Sequence, residues 1–105
     1  MGGKVAGTGF LNGNPSEFSV WEHPDGAILL DGRMLIVNGE ELGVLLYDGK
    51  PIKTRTGLKV EYLPLVTKYG EFDMVHKSDI SFPSVLDTYT ITLNGKYVAT
   101  VSGKR

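Results

Sequence analysis

Six times in this chain an Asn or Asp stands directly before a glycine, at Asn12-Gly13, Asp25-Gly26, Asp31-Gly32, Asn38-Gly39, Asp48-Gly49 and Asn94-Gly95. A two-residue hairpin that matches the twist of its strands needs positive φ at both central positions, which Asx and Gly tolerate and other residues resist. Most of these pairs are flanked by β-branched and aliphatic residues, so the pattern predicts consecutive hairpins. Apolar spacing is mostly two rather than 3.6, which leaves no room for a helix of useful length. The expected fold is therefore all-β over residues 1–105 as a single domain. It is a small antiparallel barrel or two-sheet sandwich built as a meander of hairpins, since either limits exposed edges.

Individual hairpins follow from the alternation. Thr88 to Leu93 turns at Asn94-Gly95 and returns through Lys96 to Val101. A two-residue register pairs Thr92 with Tyr97, Ile91 with Val98 and Tyr89 with Thr100. In the middle, Ala27 to Leu30, Arg33 to Val37 and Glu40 to Tyr47 form a meander through Asp31-Gly32 and Asn38-Gly39. Ile28, Leu30, Leu35, Val37, Leu42, Val44 and Leu46 then share the core face. Leu29, Met34, Ile36, Leu45 and Tyr47 share the opposite face, which is too apolar to be freely solvated. Lys4 to Leu11, Glu17 to His23 and Leu58 to Tyr62 read as further strands, the last ended by Pro64. Residues 71–79 fit at most one short helical turn.

Composition narrows the functional classes. The formal net charge of -1 offers no long-range field for nucleic acid or an anionic membrane. Cysteine is absent, which excludes disulfides, thiolate metal sites and a cysteine nucleophile. Together with the lack of a basic-then-apolar leader, this predicts a reducing, cytoplasmic setting. No apolar run approaches the length of a membrane span.

Candidate chemistry is sparse. His23 and Asp25, with Ser16 or Ser19, offer a base and a nucleophile, but no nucleophile elbow accompanies them. Asp73, His76 and Asp79 would share one side of a helical turn and carry metal-ligand atom types, without a second nearby imidazole. Gly7-Thr8-Gly9 resembles part of a phosphate loop but no helix start follows, so it marks a tightly packed strand instead. From Lys50 to Lys59 the chain carries four cations and no acid. There Lys53, Arg55 and Lys59, with Tyr62 and Tyr97, define a candidate site for a small anion such as a nucleotide or oligonucleotide. The same cations also serve as protection for an exposed strand edge.

These features favour a non-enzymatic binding module, with no catalytic residues, metal or cofactor assigned. Its interaction face is Leu29, Met34, Ile36, Leu45 and Tyr47, and its expected partner is a protein or its own copy, since so large a patch is a liability on a monomer. An accessory role that inhibits, sequesters or decorates something larger, as in viruses or mobile elements, suits this type of domain. The alternatives are the anion binder at 50–59 and a small hydrolase centred on His23 and Asp25.

Overall fold

The computed structural model describes residues 3–22, 32–81 and 84–104. Ten antiparallel strands form one sheet: β1 (Lys4–Leu11), β2 (Asn14–Trp21), β3 (Arg33–Val37), β4 (Glu40–Leu45), β5 (Ile52–Lys53), β6 (Gly57–Glu61), β7 (Leu65–Thr67), β8 (Gly70–Ser81), β9 (Ser84–Leu93) and β10 (Lys96–Lys104). Their order is β4-β3-β2-β1-β10-β9-β8-β6-β5, with β7 paired to β8 beyond the end of β6. The sheet curls into a half-barrel, and its two flanks meet after β4 and β6. There Tyr47 bridges Tyr62, Leu63 N–H donates to Leu46 O (2.8 Å) and Asp48 N–H donates to Glu61 O (2.9 Å). A single curled sheet, not a two-sheet sandwich, resolves the pair of architectures that the sequence left open.

The three Asn-Gly pairs behave as the turn chemistry requires. Asn12, Asn38 and Asn94 have φ of 52°, 50° and 51°, each followed by a glycine near 80°. Each joins two neighbouring strands through two residues, a geometry that Asn-Gly adopts at little cost. Asp48-Gly49 is different: it lies between β4 and β5 and closes no hairpin. Asp25-Gly26, and the strand expected at Ala27 to Leu30 with Ile28 and Leu29, lie outside the described residues. The turn at Asn12-Gly13 starts β2 at Asn14, three residues earlier than the alternation predicts.

Two bulges correct the registers. On β4, Leu35 pairs with Gly43 and Ile36 with Glu41, so Leu42 is the extra residue and Gly43 takes a φ of 149°. Parity inverts beyond it. Leu45 turns into the core, while Val44 and Leu46, expected inside, are 44% and 53% exposed. On β10, Val98 is extra: Tyr97 still faces Thr92, but Ile91 faces Ala99 and Tyr89 faces Val101. Even so, Leu35 and Val37 lie in the core, and Leu42 packs against it. Residues 71–79 form no helical turn. They belong to the twelve-residue β8, whose Phe72, Met74, His76 and Ser78 alternate inward.

The core runs along the concave face, with Phe18, Val20, Leu35, Val60, Phe72, Met74, Tyr89, Ile91 and Val101 all but inaccessible. Gly9 on β1 lies under β10, where a Cβ would meet the Val98 carbonyl oxygen. Gly7 is pressed in the same way against Thr100, as expected of close strand packing rather than a phosphate loop.

Candidate functional site

One end of the interior is polar. The inward parity of β2, β3, β8 and β9 continues past the apolar core and places Glu22, Arg33, His76, Asp87 and Tyr89 together, each at most 4% exposed. Tyr89 donates from its hydroxyl to Glu22 Oε2 (2.5 Å) and accepts from Arg33 Nε (3.1 Å). His76 Nε2 meets Asp87 Oδ1 at 3.0 Å, and its ring stacks on Tyr89 with centroids 4.1 Å apart. Short contacts to carboxylates of this kind are strong when desolvated, and they hold both rings in place.

The electrostatics follow from burial. Desolvation pushes the Tyr62 phenol up to about 12; the positive Arg33 opposes this, while Glu22 and Asp87 add to it. Tyr89 is raised further, by burial and by its bond to Glu22. The Arg33 guanidinium also rises, because Tyr89, Tyr62 and Glu22 outweigh the burial that would lower it. The Tyr62 hydroxyl and His76 Nδ1 are buried with no hydrogen-bond partner among the described residues.

A second feature lies on the convex side. Lys4 pairs with Trp21, Trp21 with Met34 and Met34 with Val44, one outward row across β1 to β4. With Ile36 and Glu41, residues of this row line an open groove of about 270 Å³. Trp21 is 48% exposed, and Lys4 Nζ sits 5.7 Å from its ring centroid.

The expected site residues separate accordingly. Of the apolar face, Met34 and Ile36 line the groove, Leu29 is outside the described residues, and Leu45 and Tyr47 turn toward the core behind the bulge. Of the cationic set, Lys53 is on the short edge strand β5 and Arg55 in the turn beyond it, both exposed. Lys59 lies 3.9 Å from Glu61. Tyr62 is 4% exposed, so it offers no stacking surface. Tyr97 is exposed on β10, three strands from β6, and its hydroxyl bonds Thr100 Oγ1 at 2.8 Å. The fold does not gather these five residues at one place.

His76 points inward while Asp73 and Asp79, three residues away on a strand, face the other side. The helical grouping of those three is thereby dissolved. His23 and Asp25 lie outside the described residues. Sequence reasoning missed Glu22, Arg33, Asp87 and Tyr89 as a group. The usable signal was alternation itself, since the inward positions Leu93, Ile91 and Tyr89 lead directly to Asp87. Among the described residues no helix is long and apolar enough to cross a membrane. Compared with protein-family models, curated proteins and solved structures, the chain has no match.

Proposed function

We propose that the chain is a non-enzymatic interaction module that pairs with a second copy of itself through the convex face of β1 to β4. The observation that carries this reading is the half-exposed Trp21 in a groove with Met34 and Ile36, flanked by Lys4 on one side and Glu41 on the other. Tryptophan is among the residues most enriched at the energetic anchors of protein interfaces. A two-fold axis makes such a face self-complementary, because each Lys4 meets the Glu41 of the other copy. Val44 extends the apolar strip to the sheet edge. Among the described residues no imidazole lines the groove, and His76 is sealed inside the fold. This reading leaves Lys53 and Arg55 as charges guarding the exposed edge at β5.

Light scattering and sedimentation across a concentration series test it. A dimer is expected by about 100 µM, and Trp21→Ala should weaken it by roughly thirtyfold or more. Lys4→Glu and Glu41→Lys each weaken self-association, whereas an equimolar mixture of the two variants restores a heterodimer. A wild-type chain that stays monomeric, or a mixture that gains nothing over either variant, overturns the reading.

A further inference from the structure

The polar end of the interior raises a question that the convex face does not touch: why two carboxylates and an imidazole are buried together. Glu22, His76 and Asp87 are 4%, 0% and 1% exposed. Each presents one ligand atom, and the three atoms lie within 4.8 Å of one another. Both carboxylates are kept out of water, where a charge is tolerated only when it is paired or coordinates a metal. The Tyr62 hydroxyl, buried and without a hydrogen-bond partner among the described residues, feels the charges of Glu22 and Asp87.

We propose that Glu22, His76 and Asp87 form a binding site for a divalent first-row transition-metal ion. The atom types fit, since one imidazole nitrogen with two carboxylate oxygens suits zinc, manganese, iron or cobalt better than the all-oxygen preference of calcium or magnesium. Donors that share one ion at about 2.1 Å are about 3.0–4.2 Å apart. His76 Nε2 and Asp87 Oδ1, hydrogen-bonded to each other at 3.0 Å, fall inside that range, and the trio as a whole, within 4.8 Å, closes by about half an ångström around an ion. One ring nitrogen binds the ion and the other keeps the imidazole proton. Supporting contacts are already in place: Tyr89 engages Glu22 Oε2, which leaves Oε1 for the ion, and its ring fixes the plane of His76. The Tyr62 hydroxyl, whose titration Glu22 and Asp87 influence, would be the neutral oxygen to complete the set.

Cobalt(II) is a direct probe, because its visible bands report coordination by protein ligands. The full chain, dialysed against a chelator and titrated with cobalt(II), is expected to develop saturable bands at one ion per chain, removed by zinc(II). Zinc should also raise the melting temperature by mass action. Glu22→Gln and His76→Gln are each expected to weaken binding by about tenfold or more, while Asp73→Asn and Asp79→Asn, on the opposite face, leave it unchanged. Should the interior variants fail to fold, proton NMR of the unmodified chain decides: cobalt(II) must shift or broaden the His76 ring signals, told apart from those of His23 with His23→Gln. Absence of bands and of any zinc-induced stabilisation overturns the site. So does binding that responds to the outer aspartates, or that leaves the His76 ring signals unmoved.

Discussion

The two ends of the curled sheet solve the burial problem in opposite ways. At one end the interior is Leu11, Phe18, Val37, Phe72, Met74, Ile91 and Leu93, and all three Asn-Gly turns cap it, after Leu11, Val37 and Leu93. At the other end the same inward parity, on β3, β8 and β9 and one residue past β2, holds Glu22, Arg33, His76, Asp87 and Tyr89. The first end is stabilised by area removed from water, which is forgiving of detail. The second depends on every polar atom finding its partner, which is not. An apolar core alone would have served a small barrel, so the polar end is the part of the interior that stability does not explain.

That contrast is broken most severely by removing one large side chain from each end. Phe72→Ala should destabilise the fold by about 3–5 kcal/mol through lost burial and a residual cavity. Arg33→Met should cost a similar amount, about 3–5 kcal/mol, because it strands Glu22 beside Tyr89 without its cation. The two losses differ in what repairs them. Adding Glu22→Leu to Arg33→Met should recover a substantial part of the stability in urea denaturation, since replacing both members of a buried pair is milder than removing one. If the double variant is no better than the single one, the polar end acts by packing alone.

The same contrast explains what could be read in advance. The strands beside the Asn-Gly turns were legible because turn chemistry and alternation agree there, as for Leu93, Ile91 and Tyr89 leading back from Asn94. The registers failed at Leu42 and Val98, where one extra residue inverts parity, and neither flank carries a signal beyond Gly43. β8 resembles a helical turn in sequence because Phe72, Val75 and His76 fall near one helical face, while its inward series contains a histidine and a serine that disguise the period of two. The polar cluster was illegible for a related reason. Its members come from four strands spread over most of the chain, and binary patterning assigns charged residues to the outside.

Smaller effects separate the ends by pH. The Tyr62 phenol titrates near 10 when unfolded and is pushed up to about 12 by burial, with Glu22 and Asp87 adding and Arg33 opposing. Its neutral form is the one the fold favours. The contribution is therefore intact below about pH 10 and is lost as pH rises toward 12, amounting to about 3 kcal/mol in all. Denaturation midpoints measured from pH 9 to 12 should fall across that window; Tyr89, raised further, contributes to the same fall, so Tyr62→Phe should remove only part of it. At the apolar end the matching probe is Asn94→Ala, which forces alanine into positive φ and removes the acceptor for Glu71 N–H (3.0 Å). A loss of about 1–2 kcal/mol is expected, with no pH dependence in the same range.

The mildest change is the most discriminating. Tyr62→Phe deletes one oxygen from a buried ring whose hydroxyl has no hydrogen-bond partner among the described residues. Ordinarily, removing a satisfied buried hydroxyl costs about 1 kcal/mol, whereas removing an unsatisfied one leaves stability unchanged or raises it by up to about 1 kcal/mol. In chelator-treated protein at neutral pH the second outcome is expected. With zinc(II) added, the order should reverse, because the ion-loaded wild type gains stabilisation that the variant, lacking this neutral oxygen, gains less of. Equal stabilisation of both proteins by zinc would remove Tyr62 from the cluster while leaving Glu22, His76 and Asp87 to hold the ion on their own.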